Sequence, residues 1–172
     1  AEAVELPDKH AAAPSPVSAS LLKGLIRLCR PKQWLKNVLV FVAPAAAGVL
    51  LHRSVFWHAV AVFGVFCVAA SGTYFLNDAI DAPADRLHPT RRLRPVAAGV
   101  VPVPLALVVG LAMLAVGIGL GQLLAGWHLA LVMAIYAVVN VGYSLGIKNE
   151  PILDLAAVSA GFVLRAVAGG VA

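Results

Sequence analysis

Apolar positions in this chain gather into long runs at about 35–51, 55–76, 100–124, 127–147 and 152–172, parted by short polar stretches. Each run is close to the ~20 residues with which an α-helix crosses the hydrocarbon core of a bilayer. The pattern predicts an all-α, multi-pass transmembrane helical bundle of five spans, the last two separated only by Lys148, Asn149, Glu150 and Pro151. Trp34, Trp57 and Trp127 each stand at the edge of a run, where interface-seeking aromatic rings collect. Glycines at 117–122 (GIGLGQ) and 168–170 (AGG) should let helices approach closely, since small residues drive packing in lipid.

The two ends read differently. Residues 1–22 mix acids, Ala and Pro without periodicity and predict a disordered tail; 23–172 form the bundle. Acids come first and the first apolar run starts after Trp34, which does not fit a signal peptide. At the other end the chain stops at Ala172 inside its fifth run, which suggests a piece of a longer protein. No internal repeat of the inverted-transporter kind stands out.

Composition agrees with the hydropathy pattern. With 61% hydrophobic residues, 12% charged and a mean hydropathy of +0.91, a free soluble domain is excluded. The net charge of +5 raises nucleic acid as a partner, but the basic residues sit in short segments between apolar runs rather than on one soluble face. Lys23, Arg27, Arg30, Lys32 and Lys36 precede the first run, Arg86, Arg91, Arg92 and Arg94 follow the second, and Lys148 follows the fourth. The positive-inside bias then puts the N-terminus and the long polar connections in the cytoplasm. Cys29 and Cys67 lack a CxxC spacing and should lie at different depths, so neither a disulfide nor a metal site is expected of them.

Three of the five acids outside the tail fall in one window, Asn77-Asp78-Ala79-Ile80-Asp81-Ala82-Pro83-Ala84-Asp85, at the end of the second run. Spacings of three and four place Asp78, Asp81 and Asp85 on one helical face. Pro83 should kink or end the helix, turning Asp85 away from that face. All-oxygen ligands point to a hard cation, Mg²⁺, shared with substrate phosphates. The partner is then a diphosphate, and the nearby arginines match phosphate oxygens with their forked donors. The plainer alternative is a solvated loop whose arginines set topology and whose acids pair with them.

NDAIDAPAD (77–85) fits the NDxxDxxxD motif and resembles the UbiA superfamily of intramembrane prenyltransferases. RPKQWLKN (30–37), DRLHPTRRLRPVAAG (85–99) and YSLGIKNEPILDLAAVSAGFVLRAVAGG (143–170) are similar to its branch of decaprenyl-phosphate phosphoribosyltransferases, and the likeness covers about 30–172. The resemblance implies nine helices around a central cavity, of which about five are present, and a second acidic motif beyond residue 172. It implies Mg²⁺ on Asn77, Asp78, Asp81 and Asp85, with the three aspartates catalytic. The donor would be 5-phosphoribosyl diphosphate and the acceptor a polyprenyl phosphate in the plasma membrane, with the site cytoplasmic. The product would be a lipid-linked sugar precursor of cell-wall arabinan.

Further residues enter through the same resemblance. Lys36 and Asn37 would address a phosphate, as would Arg86, Arg91, Arg92 and Arg94; Lys148, with Tyr143 before it, would face the leaving diphosphate. Lys36 and Lys148 read equally as topology-setting flanks. His88 is read as a solvated loop residue, and His52, His58 and His128 carry no assigned chemistry. Asp154 lies close enough to Lys148 to orient it, while Arg165, roughly 16 Å along the helix from Asp154, is expected to snorkel to the far interface. Competing readings are prenyl transfer from a prenyl diphosphate to an aromatic acceptor, a transporter and a membrane scaffold. The oligomeric state is left open.

Overall fold

A computed structural model describes the backbone of residues 16–146 and 151–172, and side chains for 20–146 and 155–172. The described residues form five α-helices: α1 (Pro16–Leu28), α2 (Val42–Ala46), α3 (Arg53–Leu87), α4 (Val103–Leu145) and α5 (Pro151–Val171). A 3₁₀ segment, Pro31–Phe41, runs into α2, and a single 3₁₀ turn, Arg91–Leu93, sits between α3 and α4. Among the described residues there is no strand.

α1 begins inside the stretch expected to be a tail, which corrects that expectation for residues 16–22. Leu21, Leu25 and Leu28 recur at helical spacing and bury against Phe75, Val96 and Val101, so an amphipathic face orders the segment. Arg30 then takes a left-handed conformation (φ 47°) ahead of Pro31, a position where proline disfavours the helical region. The chain then enters the 3₁₀ segment, whose rise of ~2.0 Å per residue stretches the first apolar run.

α3 contains 35 residues, ~52 Å of helix, and outreaches the hydrocarbon core by several turns. It continues through Pro83 to Leu87, so the helix does not end at the proline as the sequence suggested. Its most apolar stretch is 67% buried, against 22% for that of α4, which makes α3 the central helix of the bundle. Both helices are long and apolar enough to cross a membrane.

α4 runs for 43 residues but breaks at Ala125 and Gly126. Gly126 has φ 70° and ψ −159°, a combination closed to residues with a Cβ, and it turns the chain back on itself. Gly121 consequently faces Leu129 and Ala130, and Gly117 faces Met133 and Ala69. The arms 103–124 and 127–145 therefore run antiparallel and match the two runs read from hydropathy.

In lipid there is little hydrophobic drive between helices, and close van der Waals contact takes its place. α5 meets the 3₁₀ segment on that principle: a Cβ on Gly169 would collide with the Val40 carbonyl. Gly169→Ala should lose about 1–3 kcal/mol of stability through overpacking, read as a lowered unfolding midpoint in detergent. An unchanged midpoint would mean that α5 does not pack this closely.

Candidate active site

One polar end of the bundle encloses a cavity of ≈550 Å³ between α3, the second arm of α4, α5 and the 3₁₀ segment. Tyr74, Asn77 and Asp81, spaced along one face of α3, form one wall. Tyr136, Asn140, Tyr143 and Ser144 form a second on α4, and Val158, Phe162 and Arg165 a third on α5. Arg30, Lys36, Arg91 and Arg94 complete the ring from the connections.

The helix divides the acidic motif between two faces. Asn77 and Asp81 face the cavity, and the buried Oδ1 of Asn77 has no hydrogen-bond partner. Asp78 and Asp85, two turns apart, lie beside that lining rather than in it and are 2% and 1% exposed. Arg30 Nη2 donates to Asp78 Oδ1 at 2.6 Å, while Arg94 Nη1 lies 2.8 Å from Asp85 Oδ2 and 3.4 Å from Asp78 Oδ1. Because α3 stays helical past Pro83, Asp78 and Asp85 share a face after all, with Arg94 spanning them. Of the four residues expected to hold the metal, Asn77 and Asp81 line the cavity while Asp78 and Asp85 hold arginines.

Arg30 gains further definition from Tyr74, whose ring centre lies 4.7 Å from its guanidinium carbon. Its reach to a carboxylate 48 residues away was missed by sequence reasoning. The signal available was the Arg-Pro pair, which bars an ordinary helical continuation at Arg30; Arg30 is the one non-glycine with positive φ among the described residues.

The remaining expected residues separate cleanly. Lys36, Arg91, Arg94 and Tyr143 line the cavity. Arg86 is turned instead to the Ala97 carbonyl (3.4 Å), and Arg92 is an exposed residue outside the lining. Lys148 lies outside the described residues. His88 Nδ1 accepts from the Thr90 and Arg91 amides at 3.3 and 3.4 Å, ordering the turn that presents Arg91.

Asn37 does not reach the cavity. It is fully buried, donating from Nδ2 to Cys67 Sγ (3.3 Å) and accepting at Oδ1 from Arg165 Nε (2.7 Å). That bond corrects the expectation that Arg165 snorkels to the far interface, since Arg165 is 7% exposed and lines the cavity. Trp34 is likewise drawn inward: its Nε1 donates to Ser71 Oγ (3.1 Å), whose hydroxyl donates to the Cys67 carbonyl (2.8 Å). Burial pushes the Cys29 thiol up, away from the thiolate form.

Chemically, Asn77 and Asp81 offer oxygen donors to a hard cation, and an unpartnered buried amide oxygen beside a carboxylate fits Mg²⁺. Among the described residues Arg30, Lys36, Arg91 and Arg94 share that end of the cavity, with Arg165 further along its lining, and make the chamber an anion receptor.

Comparisons with known proteins agree with this geometry. Residues 38–172 match the UbiA prenyltransferase family. The chain is 50% identical over 157 residues to a decaprenyl-phosphate phosphoribosyltransferase of Corynebacterium glutamicum, covering 89% of this chain and 47% of that protein. It is 46% identical to the protein of that name from Mycolicibacterium smegmatis (89% and 49% covered) and 43% identical to that of Mycobacterium tuberculosis (90% and 52%). The chain thus spans about half the length of these curated relatives. The match over most of its residues, together with an acidic helix end beside a cationic cavity, shows that the chain belongs to the UbiA prenyltransferase family.

Proposed function

We propose that this protein transfers 5-phosphoribose from 5-phosphoribosyl diphosphate to a polyprenyl phosphate in a Mg²⁺-dependent reaction at the cytoplasmic face of the plasma membrane. The observation that carries the reading is the charge of the cavity. Arg30, Lys36, Arg91 and Arg94 line the same end of the cavity as Asn77 and Asp81. A donor with a phosphate at one end and a diphosphate at the other uses that many cations; a prenyl diphosphate with an apolar tail does not. The names of the relatives point the same way, and a lipid-linked pentose for cell-wall arabinan is the corresponding product.

Asn77 and Asp81 are the residues that would hold Mg²⁺, which supplies positive charge to the departing diphosphate. Asp78 and Asp85 position Arg30 and Arg94 so that their remaining N–H groups meet phosphate oxygens in a fixed fork. Arg91 and Lys36 add charge at the mouth. As the anomeric carbon loses its diphosphate it turns cationic, and the acceptor phosphate oxygen attacks it. That oxygen is already anionic near neutral pH, so the reaction demands no strong general base of the chain.

The orientation follows from charge. The connections carrying Arg30, Lys36, Arg91 and Arg94 meet at one end of the bundle, and basic connections favour the cytoplasm. α3, both arms of α4, α5 and the segment 31–46 then make a multi-pass protein. A transporter is disfavoured because two acids of the motif are locked in ion pairs at the polar end, whereas coupling sites lie near the midplane on broken helices.

The test is label transfer in membranes carrying the protein. Label from phosphoribosyl diphosphate should enter the lipid fraction when polyprenyl phosphate is present, and EDTA should abolish it. Prenylation of an aromatic acid from a prenyl diphosphate, with no label in lipid, would move the function to ordinary prenyl transfer on the same fold.

A further inference from the structure

Arg165 differs from the other arginines of the cavity in its partners. Arg30 and Arg94 are neutralised by Asp78 and Asp85. Arg165 is buried, and its three hydrogen bonds all go to neutral acceptors: Asn37 Oδ1 at 2.7 Å, the Gly161 carbonyl at 2.6 Å and the Tyr136 hydroxyl at 3.1 Å. Among the described residues no carboxylate lies within ion-pair distance of it. A guanidinium does not give up its proton, and an uncompensated charge this deep in an apolar bundle is costly. It is retained where an anion arrives to meet it.

The guanidinium is also prepared for one. Its carbon lies 5.0 Å from the centre of the Tyr136 ring, which fixes the plane, and three of its five N–H groups are spent on Asn37, Gly161 and Tyr136. Two remain for a ligand in the cavity that Arg165 lines. Gly161 leaves the space: a Cβ there would sit 3.2 Å from Arg165 Nη1. Tyr136 is about two turns, or ~10 Å, deeper along α4 than Tyr143, so this cation stands apart from the Asn77 and Asp81 end. Beside it the lining turns apolar through Val139, Val158 and Phe162.

We propose that Arg165, positioned by Asn37, Tyr136 and the Gly161 carbonyl, forms a second anion subsite at the deep end of the cavity, and that this subsite takes the phosphate monoester of the polyprenyl acceptor. The first isoprene units lie against Val158 and Phe162. The assignment rests on the transfer reading above for the identity of the lipid. The chemistry it recognises, a phosphate monoester, is also present on the donor's 5-position, and the experiment separates the two.

Purified full chain in detergent is heated with a short-chain polyprenyl phosphate, with the matching polyprenol, or with phosphoribosyl diphosphate and Mg²⁺. The wild-type midpoint should rise with the phosphate and not with the alcohol. Arg165→Gln should lose that rise while keeping the one given by the donor, and Arg165→Lys, which keeps the charge without the fork, should recover part of it. In transfer assays Arg165→Gln should raise KM for polyprenyl phosphate at least tenfold and leave donor KM unchanged. Asn37→Ala, which leaves the cation but frees it, should move the same KM in the same direction.

Loss of the donor's stabilisation in Arg165→Gln, with the lipid's retained, overturns the assignment and gives Arg165 to the donor's 5-phosphate. So does a wild type that responds equally to phosphate and alcohol, a result that does not depend on any variant folding. Phosphate-specific lipid stabilisation that vanishes in Arg165→Gln, in a protein that transfers no phosphoribose, supports the subsite and removes only the transfer reading.

Discussion

Arg94→Met should destabilise the protein by about 3–5 kcal/mol, the cost of stranding a buried charge by removing its partner. Asp85 loses its ion-pair partner and Asp78 loses the weaker of its two. Arg94 Nη1 is 2.8 Å from Asp85 and 3.4 Å from Asp78, and both acids are almost fully buried. Arg30 still holds Asp78, so Asp85 carries most of the loss. Arg94→Met combined with Asp85→Asn should recover a substantial part, because the double variant removes the stranded charge along with its partner. The measurement is the thermal or denaturant midpoint in detergent without substrate. A loss below ~1 kcal/mol would class the contact with exposed ion pairs and would remove the basis for calling Asp78 and Asp85 positioning residues.

That cluster also shows where sequence reasoning stopped. Hydropathy located α3, both arms of α4 and α5, because 20-residue apolar runs have few other uses, and the boundary before Trp127 coincides with the break at Gly126, while the first run forms a 3₁₀ segment and the short α2 in place of one spanning helix. The acidic window was legible as a site because acids are scarce in this chain. Which acids face the cavity was not. Residues three apart point within ~60° of each other on a helix, so spacing alone does not decide that the lining takes in Asp81 and leaves out Asp78, and Pro83, expected to kink or end the helix, is carried inside it.

Residues acting across long separations were the least legible. Arg165 meets Asn37 across 128 positions, and Arg30 meets Asp78 across 48. Asn37 was read as a phosphate ligand because it stands beside Lys36 in a basic flank; in the fold it faces the other way and anchors Arg165 instead. α1 was missed for a different reason. Its apolar face is only Leu21, Leu25 and Leu28, too short a pattern to stand out beside a Pro- and Ala-rich stretch until Phe75 and Val96 are seen to cover it.

The division of the acidic motif makes its own opposed pair of predictions. Asp81→Asn should cut phosphoribosyl transfer by on the order of 10²–10³, the loss typical of removing one electrostatic element of a reaction site, and should weaken Mn²⁺ binding measured directly by the ion's spin resonance. Its unfolding midpoint should move less than that of Asp85→Asn, because Asp81 lines the cavity whereas Asp85 is closed in with Arg94. Asp85→Asn should do the reverse: an amide does not neutralise Arg94, so stability falls and donor affinity drops, while Mn²⁺ binding to the folded protein is retained. Equal loss of Mn²⁺ in both variants would make Asp85 a metal ligand and require the side chain to leave Arg94 when the ion binds. Retained Mn²⁺ in Asp85→Asn alone fixes the roles by geometry, with the face of α3 bearing Asn77 and Asp81 serving the ion and the face bearing Asp78 and Asp85 serving the arginines.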